Sequence, residues 1–383
     1  MELENQDAQK SQPPAASARS YFDVCMSREP RLWLLLMGAF AGALIFFITS
    51  LVLNTLYGLS QMSRRSVATP EQRDLPKSFY DGDGAIQYNF DVVPNIIHLV
   101  RHNQPELTFM DTVFLRSMYL NHRPDAIWVH CDPCGFTGPF VNLTKGTNIT
   151  LKPYIFPTKI FGVELKQKYH VADVARVQIL RRYGGIYLDW DVFVIQSLRR
   201  FLRYEATLPC TPNVWIANNI LIFHKNSRFL RLYIESFREF NDSRWNYNPA
   251  EVPTKLLVLK RQHLVNCMSY NLEAGLDMLG VVFEPHGYPN WRDAFAVHSY
   301  IYHRGESPYD ALKNKEFSLT NVRDLDNAMG QMTRSVLFGT SDFVDPDTPV
   351  LSVTELAARK DRGEDLTKVK PGNAKPFYGP IKV

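Results

Sequence analysis

A strong excess of one charge is missing from this chain. Its 43 basic and 39 acidic residues leave a formal net charge of +4 at pH 7 over 383 residues. A nucleic-acid binder would show a concentrated basic face, so this balance argues against nucleic acid as a partner. With 45% hydrophobic and 21% charged residues, the composition is that of a globular protein with one large domain or two moderate ones.

Cysteine is scarce, with 5 residues in the whole chain. Cys25 lies near the N-terminus, and the other four allow three pairings among which the sequence does not choose. These four are Cys131, Cys134, Cys210 and Cys267. Cys131 and Cys134 have the CxxC spacing of some zinc and redox motifs, but no second CxxC and no histidine pair at zinc-finger spacing accompany them. A zinc site is therefore the less favoured interpretation.

Charged residues are absent from Leu32 to Ser63, and the run from Leu32 to Leu53 is almost wholly apolar. A helix that crosses a bilayer needs about 20 apolar residues. A cleaved signal peptide would not follow so long a polar segment, and a buried core helix would carry a polar stripe. The sequence predicts a cytosolic tail at residues 1–31 and a transmembrane anchor at residues 32–57, with the lipid bilayer as partner through Leu32 to Leu53.

The orientation of this anchor rests on glycosylation sites. Arginines flank both of its sides, so the positive-inside rule gives only a weak preference. Three Asn-X-Ser/Thr sequons lie beyond the anchor and none before it; they begin at Asn142, Asn148 and Asn241. We therefore expect a single-pass type II glycoprotein whose large C-terminal part is lumenal.

Beyond the anchor the chain alternates between predicted strands and helices. Residues 58–90 are predicted to form a stem, and ordered structure begins at Pro94. Strands are predicted at residues 95–100, 126–130 and 186–188, and helices at residues 109–120, 168–183 and 254–268. This alternation indicates an α/β fold, a mostly parallel sheet flanked by helices, over residues 91–306. The apolar pattern weakens from about Ser307, which predicts a partly disordered extension over residues 307–383 and a loose tail over its last part.

The strongest chemical signal is the run from Tyr183 to Asp191, YGGIYLDWD. Alternate side chains of an extended strand share a face, so Tyr187, Asp189 and Asp191 are predicted to point together. They follow a buried strand, and open α/β sheets bind ligands outside the carboxyl ends of their strands. Carboxylate oxygens completed by substrate phosphates suit Mg²⁺ or Mn²⁺. An ordinary turn at the end of the strand is the alternative, since two acids at this spacing are common.

A second pair of charged residues lies upstream. Asp173 and Arg176 are three positions apart on a predicted helix, so they share one face. The helix is apolar around most of its circumference, which predicts burial, and a buried Asp and Arg must be paired or bind something. A structural salt bridge is the simple interpretation, but the nearby acidic run favours a grip on substrate.

The run from His170 through Asp173, Arg176 and YGGIYL to Asp191 resembles the DXD-motif sugar transferases. These include eukaryotic α-1,4-galactosyl- and α-1,4-N-acetylglucosaminyltransferases, yeast-type mannosyltransferases and clostridial glucosylating toxins. Weaker resemblances occur at residues 94–98, 218–219 and 296–298. Trp190 departs from the usual small or aliphatic residue between the aspartates, and the stretch after Arg304 resembles no part of the family.

The resemblance implies a GT-A-like fold, a Mn²⁺ (or Mg²⁺) cofactor and retention of anomeric configuration. It implies catalytic roles for Asp189, Asp191 and Arg176, and metal binding by Asp189, Asp191 and His298. A core histidine is the alternative for His298. The substrate-binding residues that it implies are Asp173, Arg176, Tyr187, Asn219 and His98.

The sequence thus predicts a metal-dependent hexosyltransferase of the Golgi membrane with a lumenal catalytic domain. Its expected partners are a nucleotide-sugar donor, with a UDP-sugar favoured over GDP-mannose, and a glycan or glycolipid acceptor. A hexose or N-acetylhexosamine would be transferred to a hydroxyl. The alternatives are a catalytically inactive GT-A-like membrane protein that binds sugar or a partner, and a tethered adhesion protein.

Overall fold

The computed structural model describes residues 87–210, 215–258, 260–268, 271–272, 282–285, 290–302 and 315–368. All belong to the unit that spans residues 68–383. The predicted tail and anchor lie outside these residues. Within the described ranges, no helix has both the length and the apolar character that crossing a membrane requires.

Short strands form one large sheet and two small ones. The strands are β1 (Ile96–His102), β2 (Ala126–Asp132), β3 (Ile149–Pro153), β4 (Lys159–Ile160), β5 (Val163–Glu164), β6 (Gly185–Leu188), β7 (Val192–Val194), β8 (Ala206–Pro209), β9 (Ile220–Phe223), β10 (Asn266–Met268) and β11 (Ala296–His298). The large sheet has the order β10-β8-β9-β6-β1-β2-β3. Only β9 in it is antiparallel to its neighbours, so the predicted mostly parallel sheet is confirmed.

The small sheets are antiparallel pairs, β4 with β5 and β7 with β11. The second pair matters for function because it joins distant parts of the chain. Its register sets His298 opposite Val192, directly after the acidic run.

The described residues form five α-helices. They are α1 (Phe109–Ser117), α2 (Lys168–Tyr183), α3 (Arg228–Ser236), α4 (Ala328–Leu337) and α5 (Val353–Asp361). Short 3₁₀ or π segments lie at Met118–His122, Val141–Thr144, Leu198–Arg203, Phe237–Glu239, Tyr247–Glu251, Thr254–Val258, Gln262–Leu264, Trp291–Asp293 and Asn321–Arg323. Helix α1 begins at a capping box in which Thr108 and Asp111 each accept the other's backbone N–H. Helix α2 ends before Gly184, whose φ of 69° suits glycine.

Two apolar cores cover the two faces of the large sheet. Ile186 and Leu188 of β6 pack into the core that holds α1, α4 and α5. Tyr187, between them, packs into the other core, with α2 and α3. This alternation is the period of two that a strand imposes on its side chains. Helices therefore lie on both faces, as the sequence predicted.

The folded unit is larger at both ends than the sequence suggested. Tyr88, assigned to the stem, donates its N–H to the carbonyl of Arg203. The prediction of a loose tail over the last part of the chain is wrong for the residues up to 368. Helix α5 forms there and packs into the core through Val353 and Leu356. Buried Arg116 of α1 ties this segment down, donating to the carbonyls of residues 336, 143 and 351 at 2.7, 3.0 and 2.6 Å.

Two disulfides settle the pairing that the sequence left open. Cys131 pairs with Cys134 across the CxxC, and Cys210 pairs with Cys267, which joins the end of β8 to β10. Because the sulfurs of the CxxC are bonded to each other, they are not thiolates that could bind zinc. The zinc interpretation was therefore rightly disfavoured.

Candidate active site

The acidic run forms a tight turn at the carboxyl ends of β6 and its parallel neighbour β1. Strand β6 ends at Leu188, and β7 begins at Val192. The Asp189 N–H donates to the carbonyl of Asn219 at 2.9 Å, and the Val192 N–H donates to the carbonyl of Asp189 at 3.2 Å. The turn is therefore fixed by backbone hydrogen bonds on both sides of Asp189. Its place at the carboxyl edge of the sheet is where the sequence predicted a ligand site.

The carboxylate of Asp189 is held by two side chains. The Tyr187 hydroxyl donates to Oδ1 at 2.7 Å. The guanidinium of Arg176 lies 3.3 Å from Oδ1 and 3.4 Å from Oδ2, and its centre is 4.6 Å from the Tyr187 ring centroid. The Asp189 side chain is 23% exposed while that of Arg176 is 6% exposed, so the carboxylate has one open side above a buried cation.

Arg176 joins this carboxylate to a second one, that of Asp173. Its Nη2 lies 3.3 Å from Asp173 Oδ1, and its Nη1 donates to the carbonyl of Asn218 at 2.7 Å. The Asn218 side chain completes the ring by donating to Asp173 Oδ1 at 2.6 Å. The predicted pair on one helix face is thus confirmed as an ion pair, and it belongs to a network that reaches the acidic turn.

Burial governs the protonation of this network. Burial alone would lower the pKa of Arg176, but Asp189, Tyr187 and Asp173 raise it above its usual value. The guanidinium therefore stays charged. Burial raises the pKa of Tyr187 well above its usual value, so its hydroxyl stays a neutral donor. Burial also raises the pKa of Asp173, against the opposing effects of Arg176 and Asn218.

Asp191 is held by a different set of residues, which lie later in the sequence. His298 Nε2 lies 2.9 Å from Asp191 Oδ1, and the Asn219 side chain lies 2.6 Å from His298 Nδ1. Because the Asn219 amide donates to Nδ1, the neutral ring carries its proton on Nε2 and donates it to Asp191. The Ser299 N–H also donates to the carbonyl of Asp191, at 2.9 Å.

The donor chemistry of the turn suits a divalent cation. Asp189 and Asp191 supply carboxylate oxygens, and Mg²⁺ is usually bound by one or two carboxylates together with substrate phosphates. Across the described residues, no three His, Cys, Asp or Glu side chains form a ready metal site. His298 contacts an oxygen of Asp191 at 2.9 Å, and the predicted binding of a metal by His298 stays a prediction. The two aspartates are the residues that fit an ion.

His98 does not join the other predicted site residues. It is fully buried, its Nε2 lies 2.8 Å from the Gly184 carbonyl and its Nδ1 lies 3.0 Å from His130 Nε2. Burial lowers the pKa of His98 to about 4. Both ring nitrogens are thus used inside the protein, and a contact of His98 with substrate stays a prediction. The residue supports the junction between α2 and β6.

Sequence reasoning missed the contribution of Asn218, which bonds Asp173 and Arg176. It also missed Arg101, a buried arginine at the end of β1 that lies against the ring of Trp190. A charged residue that ends an apolar strand was the available signal for Arg101. For Asn218 the signal was the weak resemblance at residues 218–219.

Part of the chain that carries this site matches a known family model. Residues 150–220 match the family model described as a glycosyltransferase sugar-binding region containing a DXD motif. The match takes in the whole Asp173, Arg176 and Asp189 network together with Asp191.

Curated relatives carry related names. The chain is 27% identical over 263 residues to glucan organizing enzyme 1 of Cryptococcus neoformans, covering 63% of this chain and 70% of that protein. It is 41% identical over 69 residues to inositol phosphoceramide mannosyltransferase 3 of Schizosaccharomyces pombe, covering 18% of this chain and 19% of that one. It is 27% identical to the mouse lactosylceramide 4-alpha-galactosyltransferase, over 33% of this chain and 34% of that one.

Solved structures of glycosyltransferases align only loosely. The galactosyltransferase LgtC has 12% identity and a TM-score of 0.32, covering 63% of this chain and 94% of that chain. GlyE of Streptococcus pneumoniae has 9% identity and a TM-score of 0.38, covering 71% and 64%. Scores this low carry no weight of their own. The sequence matches, to the family model over residues 150–220 and to the curated relatives, are what support glycosyltransferase activity for this chain.

Proposed function

We propose that this enzyme moves a hexose or N-acetylhexosamine from a nucleotide sugar, with a UDP-sugar favoured, to a hydroxyl of a glycan or glycolipid. The observation that carries the proposal is the buried Arg176, set between Asp173 and Asp189 at the open carboxyl edge of the sheet. A buried ion pair of this kind costs desolvation free energy. Its position beside the partly exposed carboxylate of Asp189 favours a binding function over a purely structural one.

Charge balance supports a divalent cation in the site. Asp189 and Asp191 carry two negative charges against the single positive charge of Arg176, before Asp173 is counted. A site with this surplus would repel a diphosphate. We therefore propose that Asp189 and Asp191 hold Mn²⁺ or Mg²⁺, which when bound neutralises charge on the departing diphosphate.

The protein's own residues then position the donor. Tyr187 and Arg176 hold the Asp189 carboxylate. His298, itself held by the Asn219 amide, contacts that of Asp191. These contacts keep both acids in place before the donor arrives, which is the preorganisation that electrostatic catalysis needs.

Donor sugar recognition is assigned to the buried end of the network. Asp173 and Arg176 offer an acceptor and a donor that sugar hydroxyls can use, and Asn218 fixes both of them. We also propose that the transfer retains the anomeric configuration of the sugar. Retention requires either a double displacement or attack from the same face. The relative that is named a 4-alpha-galactosyltransferase supports the proposal of retention.

A lipid-linked acceptor is favoured among the possible acceptors. Two of the relatives are named for lipid acceptors, inositol phosphoceramide and lactosylceramide. An anchor over residues 32–57 would hold the enzyme beside such a substrate. We propose that the protein is a single-pass type II glycoprotein of the Golgi membrane, with the described unit in the lumen.

Features of the described unit support a lumenal location. Both disulfides are of the kind that persists in oxidising compartments. Asn142 and Asn148 of the sequons are exposed, whereas Asn241 is half-buried and its side-chain oxygen accepts from Ser243. The amide nitrogen of Asn148 donates to the carbonyl of Asp125. A glycan is therefore expected first at Asn142.

The test uses the full-length chain in detergent with a panel of UDP- and GDP-sugars. Release of nucleoside diphosphate is followed with Mn²⁺, with EDTA, and for the variant Asp191→Ala. We expect Mn²⁺-dependent release from one donor, accelerated by an added acceptor glycolipid and lost in the variant. Donor binding without release in the presence of acceptors would instead favour an inactive sugar-binding protein. Absence of both release and Mn²⁺-dependent donor binding would refute the proposed function.

A further inference from the structure

Trp190 lies between the two aspartates of the acidic turn, and its indole contacts β1. The indole N–H donates to the carbonyl of Val100 at 2.6 Å. The guanidinium centre of Arg101 lies 4.3 Å from the centroid of the ring. The ring of Phe136 meets it edge-on at 6.4 Å. The side chain between the two acids is thus anchored to the neighbouring strand.

The paths of the two strands explain why this anchor is possible. Strands β1 and β6 pair only through Ile97 with Ile186 and His98 with Tyr187. Beyond these residues the pairing stops, although β1 continues to His102. The indole of Trp190 takes the place of a strand partner by bonding the Val100 carbonyl. The acidic turn is therefore attached to β1 by a side chain at the point where backbone pairing ends.

Arg101 is itself held rigidly. Its side chain is 6% exposed and forms an ion pair at 3.1 Å with Asp111, which is 2% exposed. The guanidinium also donates to the backbone carbonyls of Gln104 and Glu106. Asp111 is fixed in turn by the capping box of α1 and accepts from the Tyr302 hydroxyl at 3.3 Å. The Arg101 guanidinium, which lies against the indole of Trp190, is therefore held in one position.

The two flanks of the turn are thus held by different elements. On one side Trp190 is bonded to β1 and stacked on Arg101. On the other side Asp191 is bonded to His298 and Ser299, on and next to β11. A cation site requires its ligands within about 0.5 Å of the productive geometry. Anchors on both flanks supply that placement.

We infer that Arg101, paired with Asp111 and acting through Trp190, is a positioning residue for the metal- and donor-binding aspartates. This inference rests on the proposed function. Lysine could not replace Arg101, since it lacks the planar group that stacks on an indole while bonding three oxygens. Phenylalanine at position 190 would keep the stacking but lose the hydrogen bond to Val100.

The experiment compares Trp190→Phe and Arg101→Lys with the wild-type full-length chain in detergent. Binding of Mn²⁺ in the presence of UDP is measured by electron paramagnetic resonance of the free ion. Donor turnover is measured against Mn²⁺ concentration, and unfolding temperature is recorded. The matched control is Trp291→Phe, because Trp291 is also buried, donates its N–H to Gln331 and stacks on Arg292 at 4.4 Å.

We expect Trp190→Phe and Arg101→Lys to weaken Mn²⁺ binding by up to about tenfold, the equivalent of one buried hydrogen bond. Trp291→Phe should lower the unfolding temperature comparably while leaving Mn²⁺ binding within about twofold of the wild type, which is RT ln 2 or roughly 0.4 kcal/mol. Equal Mn²⁺ binding in all four proteins would overturn the inference and leave the proposed function standing. A wild-type protein that binds no Mn²⁺ with UDP would instead refute the proposed function.

Discussion

Removal of the Arg176 guanidinium is expected to destabilise the folded protein and abolish donor turnover together. The substitution Arg176→Met keeps much of the apolar stem but deletes the charge. It leaves the carboxylates of Asp173 and Asp189 facing the same gap with no cation between them. The carbonyl of Asn218 also loses its donor.

The size of the effect follows from burial. The Arg176 and Asp173 side chains are only 6% and 7% exposed, so water cannot replace the lost contacts. Breaking a buried ion pair by removing one partner costs about 3–5 kcal/mol. For a domain of this size that corresponds to a fall in unfolding temperature of roughly 6–20 °C.

The assay is thermal unfolding by circular dichroism without ligand, beside donor turnover. The matched control is Arg181→Met on the same helix, where the arginine is exposed and donates to the carbonyl of Lys225 at 2.6 Å. That change should cost less than about 0.5 kcal/mol, as exposed substitutions usually do. If Arg176→Met were as mild as its control, Arg176 would not hold the network together. The double variant with Asp173→Asn should recover part of the loss, since it removes one unpaired charge.

Three further outcomes follow from the structure. Cys267→Ser opens the bond to Cys210, whose sequence separation of 57 corresponds to about 4 kcal/mol of chain entropy; urea unfolding with and without reductant checks it, and an unchanged midpoint contradicts it. Gly185→Ala should destabilise by more than about 1 kcal/mol, because φ is +116° and the new Cβ would lie 2.7 Å from His98 Nε2; a wild-type unfolding temperature would refute this. Burial lowers the pKa of His98 from 6.5 to about 4. The unfolded state therefore binds more protons between these values, and stability should fall as pH drops from 6.5 to 4, by up to about 3 kcal/mol from this residue. A flat pH profile of unfolding, or a fall only below pH 4, would contradict that assignment.

Local periodicity was enough to predict the centre of the site. The spacing of three between Asp173 and Arg176 predicted a shared helix face, and the alternation through Tyr187 and Asp189 predicted that these two side chains meet. Asp191, which the same alternation placed beside them, lies in the turn after β6 and contacts His298. Both patterns act over a few residues of one element. The contacts of Arg176 with Asp173 and Asp189 confirm them.

Contacts between distant segments could not be predicted from such patterns. His298 meets Asp191 because β11 pairs with β7 across more than a hundred residues. The anchor of Trp190 on Arg101 depends on where β1 and β6 stop pairing. Sequence periodicity carries neither kind of information, because both depend on strand register in the folded domain.

Two element assignments failed because tertiary packing outweighed local pattern. Residues 254–268 read as one helix, but the segment breaks into short turns and ends in β10, which pairs with β8 beside the Cys210–Cys267 bond. The tail after residue 348 is rich in charge and proline, and its few apolar residues still suffice for a packed helix. Val353 and Leu356 of that helix are almost fully buried.

The most direct test of the account measures UDP binding to the full-length protein by calorimetry, with Mn²⁺ and with EDTA, for the wild type and for Asp191→Ala. We expect UDP to bind the wild type only when Mn²⁺ is present, and Asp191→Ala to abolish this binding while the protein still unfolds in one cooperative transition. UDP binding that is equally strong in EDTA, or that survives Asp191→Ala unchanged, would contradict the assignment of the acidic turn as the metal and donor site.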